Sequence, residues 1–186
     1  MALMQPDRYF SRVSAIDPRF DITLPGYETV LLDVDNTLLT RDEHLVPTDV
    51  SAWLAKLKQA DIPVCLLSNN WHASVLHLAD ELDLPIVAKA LKPLPMGFLA
   101  ACRRMGTAPR ATLMIGDQLS TDVLGAHLMG MGAYLVCPLV EEDLLHTRLV
   151  RVLERALIAD REPEGAPALT AAVEREGGAP ERPALR

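Results

Sequence analysis

Asp33 and Asp35 stand two residues apart at the end of a short apolar run, Thr29 to Asp33. Side chains alternate along an extended segment, so both carboxylates point the same way, and a turn after Asp33 lets both border one pocket. Two close carboxylates repel unless a cation or a proton is shared. The segment therefore reads as a metal site or an acid–base pair; the plainer alternative is an acidic turn in which Asp and Asn serve the backbone. Three more polar sites follow apolar runs. Ser68-Asn69-Asn70 offers a hydroxyl and backbone N–H groups near a helix start, which makes either an anion cradle or an ordinary cap. Lys92 lies between Leu91 and Pro93, a stiff apolar setting that suits an ammonium aimed inward; the plainer alternative, a solvated surface charge, stands beside it. In Gly116-Asp117-Gln118-Leu119-Ser120-Thr121-Asp122, Gly116 permits a close backbone turn and Asp117 ends its strand as Asp33 does. Asp122 is either a helix-start acid favoured by the dipole or a group that orients a ligand.

Taken together, carboxylates suited to a metal and cations and N–H groups suited to an anion point to phosphate chemistry. A hard divalent cation that takes carboxylate oxygens and keeps some water describes Mg2+. The glycine-rich nucleotide loops GxxxxGK[ST] and GxGxxG are absent, so the phosphate is not expected on a P-loop.

The elements that must position these residues alternate from about Glu28 to Ala159. Strand patterns fall at 29–33, 62–67, 85–90, 112–115 and 133–136. Between them, Val50, Trp53, Leu54 and Leu57 define one helix face, and Val75, Leu78, Ala79 and Leu82 another. Phe98, Cys102 and Met105 belong to a helix that Gly106 ends, and Val123, Ala126 and His127 to one that Gly130 ends. Leu145, Leu149, Val152, Leu153 and Ala156 form a last amphipathic helix. Five buried strands separated by helices imply an α/β fold, an open parallel sheet wound on both faces. Ligands bind such sheets outside the carboxyl ends of the strands, where the strand order switches, and all four polar sites lie after strands. Residues 1–27, with Tyr9, Phe10, Val13, Ile16 and Phe20, read as a segment packing on the domain formed by 28–159. Residues 160–186, rich in Pro, Gly, Ala, Glu and Arg, read as a disordered tail.

The bulk numbers agree. The chain has 186 residues, 49% of them apolar, enough for one domain with a real core. A net charge of −7 argues against nucleic acid as a partner. Cys65, Cys102 and Cys137 show no metal spacing and read as buried thiols of a reducing compartment. No signal-peptide pattern and no run of about 20 apolar residues occurs, which implies a cytoplasmic protein.

The ordered set Asp33-x-Asp35-x-Thr37, Ser68, Lys92 and Gly116-Asp117-x4-Asp122 resembles the four motifs of the haloacid dehalogenase-like superfamily, over about residues 28–140. The strings DVDNTL, SNN, KP and GDQLSTDVLG, with Pro6 to Tyr9 ahead of them, are similar to YqeG-type, subclass IIIA phosphatases, a group related to phosphatidylglycerophosphate phosphatases. The resemblance implies a strand order of 3-2-1-4-5. It implies that Asp33 is the nucleophile, forming an aspartyl-phosphate, and that its other oxygen binds Mg2+. Asp35 would protonate the leaving alcohol and then activate water, with its backbone carbonyl on the metal. Thr37 would support that geometry, Ser68 and the Asn69 backbone would hold the phosphoryl oxygens, and Lys92 would neutralise charge. Asp117 would ligate the metal and Asp122 would assist. The presence of Asp35 implies phosphate ester hydrolysis rather than dehalogenation.

Only 30 residues separate Thr37 from Ser68 and 23 separate Ser68 from Lys92, which leaves no room for a large cap domain. An open site admits a bulky or lipid-linked phosphomonoester such as phosphatidylglycerophosphate, with the protein at a membrane surface. Two other readings stand beside it: a small sugar or nucleotide phosphate with the site closed by homo-oligomerisation, and a non-catalytic interaction module. Leu38 to Pro47 is short enough for a small flap. Trp71 and His72, after the cradle, either touch the leaving group or pack at a helix start.

Overall fold

The computed structural model describes residues 3–38, 46–139 and 161–165. Its framework is one all-parallel sheet of β1 (Arg8–Phe10), β2 (Thr29–Leu32), β3 (Val64–Leu67), β4 (Ile86–Val87), β5 (Thr112–Gly116) and β6 (Gly132–Val136). The spatial order is β1-β6-β5-β2-β3-β4. Helices α1 (Thr48–Gln59), α2 (Ala73–Glu81), α3 (Pro95–Met105) and α4 (Leu124–Leu128) connect the strands. The five strands read from the sequence thus run in the expected 3-2-1-4-5 order, and no large cap domain interrupts them.

Alternation along the strands builds two cores. Val30, Leu32, Val64, Leu66, Leu113 and Ile115 face one way, against Val50, Trp53 and Leu57 of α1 and Val75 and Leu78 of α2. Leu31, Cys65, Leu67 and Met114 face the other way, against Phe98, Ala101 and Cys102 of α3 and Ala126 of α4. Helices therefore cover both faces. The winding reverses between β2 and β5, which pair directly through Leu32 and Ile115. That reversal opens a crevice at their carboxyl ends. Gly106 ends α3 at φ +67° and Gly130 follows α4 at φ +71°, left-handed positions that glycine adopts without strain. Cys65 and Cys102 are free thiols in the second core, and burial pushes the Cys65 thiol up to about 11, which keeps it inert.

The structure adds one strand that the sequence pattern does not reveal. β1 extends the sheet beside β6, pairing Arg8 with Tyr134 and Phe10 with Val136. Three residues are too few to display a period. Val13, Ile16 and Ile22 enter the first core behind it, the Trp53 indole donates to the Ile16 carbonyl at 2.8 Å, and the Tyr134 hydroxyl donates to the Asp21 carbonyl at 2.7 Å. His127 ties the same region to α4, with Nδ1 2.8 Å from the Leu3 carbonyl.

Residues 161–165 differ from the tail expected by composition. Glu164 N–H donates to the Tyr9 carbonyl at 2.8 Å, and its own carbonyl accepts from Ser11 N–H at 2.9 Å. The Glu164 carboxylate and Asp21 both pair with the Arg8 guanidinium. Backbone pairing to an edge strand, with a two-pronged Arg8–Glu164 ion pair at the surface, holds this segment in place whatever its apolar content. The expected β4 is also shorter than 85–90, because Lys89 and Leu91 take left-handed φ angles of 52° and 57° that turn the chain away from the sheet. The amphipathic pattern at Leu145–Ala156, the rest of the tail and most of the proposed flap lie outside the described residues.

Candidate active site

Asp33 leaves β2 with its N–H still donating to the Ile115 carbonyl of β5 at 2.9 Å. The chain then turns through Asn36, a buried residue at φ 64°, a conformation Asn tolerates better than most side chains. The turn returns Thr37, whose hydroxyl donates to Asp33 Oδ2 at 3.3 Å. Asp33 Oδ1 accepts from the Lys92 ammonium, and Lys92 Nζ also lies 2.7 Å from Asp122 Oδ1. All three side chains are almost completely buried.

Asp117, at the end of β5, completes the group. Carboxylate oxygens of Asp33, Asp117 and Asp122 all lie within 4.8 Å of one another. Three buried carboxylates thus face a single buried ammonium. Burial raises Asp33 to about 7; Lys92 pulls it down and Asp122 pushes it up again. Burial pulls the Lys92 ammonium down, but Asp122 and Asp33 more than offset that, so it is held above its ordinary range and stays charged. The excess of carboxylate oxygens in a closed space fits a hard divalent cation, whose charge would balance the acids that Lys92 alone does not.

The Asp35 carboxylate lies outside this three-acid group. Its Oδ2 accepts from the Ser68 hydroxyl at 3.2 Å, and Ser68 Oγ in turn accepts from the Asn70 N–H at 3.0 Å. Asp35 is half-buried whereas Asp33 is enclosed. The two acids read as a pair in the sequence are therefore separated chemically: one sits against an ammonium and two acids, the other against a hydroxyl at the mouth of the crevice.

Two positioning devices escape a reading of the residues by charge. The Asn69 side chain brackets Lys92, its Oδ1 accepting from the Lys92 N–H at 2.6 Å and its Nδ2 donating to the Lys92 carbonyl at 3.1 Å. A side chain expected only to flank the cradle thus fixes the backbone of the lysine loop. Gly125, inside α4, is the second device. A Cβ there would lie 2.4 Å from the Phe98 ring and 3.1 Å from the Pro93 Cα, so its absence lets Pro93 and Phe98 pack behind Lys92. A glycine within a helical pattern was the available signal, since it costs stability unless a close approach requires it.

Gly116 serves Asp122 in the same way. A Cβ on Gly116 would fall 2.3 Å from Asp122 Oδ2 and 2.8 Å from Asp122 Cβ, while the same Oδ2 accepts from Gln118 N–H at 3.2 Å. The spacing of Gly116 and Asp122 is thus one packing unit. Gly116→Ala is expected to swing the Asp122 carboxylate away from Lys92 and lower divalent metal affinity and turnover about 10- to 100-fold. Calorimetric metal titration and steady-state kinetics check this, and wild-type values in the variant would refute the coupling.

Comparisons with known proteins meet this geometry from outside. The family profile described as haloacid dehalogenase-like hydrolase matches residues 40–130. The Bacillus subtilis (strain 168) protein named "Probable phosphatase YqeG" is 31% identical over 154 residues, covering 83% of this chain and 89% of that protein. Among solved structures, a HAD phosphatase from Thermococcus onnurineus superposes with a TM-score of 0.53 at 19% identity, over 68% of this chain and 97% of that one. The cobalt-bound deoxy-D-mannose-octulosonate 8-phosphate phosphatase YrbI of Haemophilus influenzae gives 0.51 at 16% identity, over 73% and 90%. The structures share the fold, and the YqeG match spans most of both chains: this chain belongs to the haloacid dehalogenase-like hydrolases, as a phosphatase of the YqeG type.

Proposed function

We propose that the protein is a Mg2+-dependent phosphomonoester hydrolase that works through an aspartyl-phosphate on Asp33. The observation that carries this reading is the separation of Asp33, enclosed with Lys92, Asp117 and Asp122, from Asp35, which stands against Ser68 at the mouth. Asp33, Asp117 and Asp122 would hold the Mg2+ with carboxylate oxygens, and the Asp35 backbone carbonyl would add to them. Bound there, Mg2+ would supply positive charge to the nucleophile and to the phosphoryl oxygens.

The chain's own groups carry the steps. The phosphoryl oxygens are received by the Ser68 hydroxyl and the Asn69 backbone N–H, with Lys92 facing them from its seat on the Asp33 carboxylate. An Asp33 carboxylate oxygen attacks phosphorus as the ester oxygen leaves, and Asp35 gives that oxygen its proton. Asp35, now ionised, takes a proton from water, whose oxygen attacks phosphorus and breaks the bond to Asp33. Inorganic phosphate departs and both acids return to their first state. Thr37, donating to Asp33 Oδ2, keeps the carboxylate from rotating between the two attacks.

A crevice without a large cap suits a leaving group that is bulky or lipid-linked, and a phosphatidylglycerophosphate-like ester is the substrate class we favour. A cytoplasmic setting, with contact to a membrane surface, belongs to the same reading; among the described residues no helix is long and apolar enough to cross a membrane. A screen of soluble and lipid phosphomonoesters tests it, with Mg2+ present or removed by a chelator. Turnover is expected only with the metal and to be greatest on lipid-borne esters. A clear preference for soluble sugar or nucleotide phosphates would overturn the lipid assignment, and metal-independent turnover would overturn the mechanism.

A further inference from the structure

Four large apolar side chains stand in solvent on the loops that carry the cradle and the lysine and on the first turn of α3: Trp71 is 61% exposed, Leu91 49%, Leu94 55% and Met96 71%. They are not scattered. Trp71 follows Ser68-Asn69-Asn70, and the other three flank Lys92. The two loops are bonded to each other through the Asn69 amide on Lys92, Lys89 N–H on the Asn70 carbonyl at 3.2 Å and Ala90 N–H on the Ser68 carbonyl at 2.9 Å. Both leave the sheet at the carboxyl edge, where the crevice opens. The apolar groups therefore form one rim, rigidly attached to the residues that would grip phosphate.

The two rim loops carry an exposed cation and no acid, in a protein of net charge −7: residues 84–116 contain no Asp or Glu, and Lys89 is exposed beside the crevice, whereas Arg103, Arg104 and Arg110 lie at the other end of α3. Residues 69–79, which carry Trp71, also contain no acid. Lys89 Nζ lies 5.5 Å from the centroid of the Trp71 ring, and the His72 ring stacks beside that indole at 5.9 Å. An indole with an ammonium on its face, on a loop bonded to one that exposes aliphatic and thioether groups, has the composition of a surface that enters lipid headgroups: apolar bodies go down and cations stay level with lipid phosphates.

We propose that this rim docks the open crevice onto an anionic lipid leaflet, with Trp71, Leu91, Leu94 and Met96 entering the headgroup region and Lys89 facing lipid phosphate. The reaction it serves rests on the function proposed above, whereas docking itself requires no turnover. A phosphomonoester headgroup would then meet Ser68 and Lys92 while its acyl chains stay in the bilayer, which removes the cost of extracting a lipid into water.

The full chain supplies its own probe, because it has two tryptophans and they differ completely in exposure. Trp53 is 1% exposed and bonded to Ile16, so it gives a constant background. Vesicles of equal parts phosphatidylcholine and phosphatidylglycerol, brominated along the acyl chains, are expected to blue-shift and quench the Trp71 emission. Phosphatidylcholine alone should do so far less. Trp71→Phe should abolish the spectral change. The double variant Leu94→Ser/Met96→Gln keeps the start of α3 and should lower vesicle partition at least about tenfold in flotation, with turnover of a soluble ester retained. Absence of quenching, equal response to neutral vesicles or undiminished partition of the double variant would overturn the proposal. So would an emission change that follows protein concentration without vesicles, since that assigns the rim to a second copy of the chain. Asp33→Asn separates the two readings: it should dock as wild type does, and a wild-type protein that docks but hydrolyses nothing would refute the catalytic reading alone.

Discussion

Asp33→Asn is expected to reduce phosphomonoester turnover about 10^4-fold or more while leaving the fold intact. The magnitude follows from the role: without a nucleophile only positioning and electrostatics remain, and such losses in other covalent enzymes reach this range. The fold is retained because Asn fills the same volume, its Oδ1 can still accept from Lys92, and its Nδ2–H can donate to the Thr37 hydroxyl oxygen. Stability provides an independent check through its pH dependence. In the metal-free protein burial raises Asp33 from 3.8 to about 7. A carboxyl raised on folding binds its proton more tightly in the native state, so its ionisation costs stability as pH rises from about 4 to about 7 and adds no further cost above. The amide cannot ionise. The variant should therefore lack this decline, its chemical denaturation midpoint changing less than that of the wild type between those pH values. An active variant, or one that unfolds at all pH values, would contradict the assignment.

The contrast between Asp33 and Asp35 shows how much of the site could be read before the fold was seen. Type and spacing placed both acids after one strand, and the order of the other polar sites placed Ser68, Lys92, Asp117 and Asp122 after others. A doubly wound sheet then leaves few ways to arrange them, because residues following adjacent parallel strands share one edge. What spacing could not convey was which acid meets which partner. Lys92 spans Asp33 and Asp122 across 59 and 30 residues of sequence, a pairing decided by the tilt of a loop that Asn69 clamps. The supporting glycines were equally opaque, since the reason for Gly125 is the Phe98 ring on another helix and the reason for Gly116 is a carboxylate six residues on.

The edges of the fold were the least legible part for a related reason. β1 and residues 161–165 are held by backbone pairing and by the Arg8 guanidinium between Asp21 and Glu164. Neither has an apolar period, because an edge strand of three residues buries little and a bridging segment buries less. Periodicity reports burial; it is silent about segments that hydrogen bonds and ion pairs hold in place.

Lys92→Met is the sharper test of how the buried charges divide their work. The thioether fills the space of the lysine stem and removes the ammonium that Asp33 and Asp122 share. Turnover should fall about 10^2- to 10^3-fold, the range for losing one group that stabilises charge developing at the reacting centre. Metal binding should survive, since the carboxylates of Asp33, Asp117 and Asp122 remain and lose a competing cation. The metal-free variant, however, leaves Asp33 and Asp122 without the ammonium they share, a defect worth about 3–5 kcal/mol when one member of a buried pair is removed. That penalty exists only while the acids are ionised. It should be largest at pH 8, shrink toward pH 5 as Asp33, raised to about 7 by burial, takes up its proton, and shrink at either pH when Mg2+ is added. Denaturant titration at the two pH values, with and without metal, measures all of this on one protein. A variant that no longer binds Mg2+ would mean that Lys92 organises the metal site, whereas tight metal binding with lost turnover would place its charge on the phosphoryl group and on Asp33.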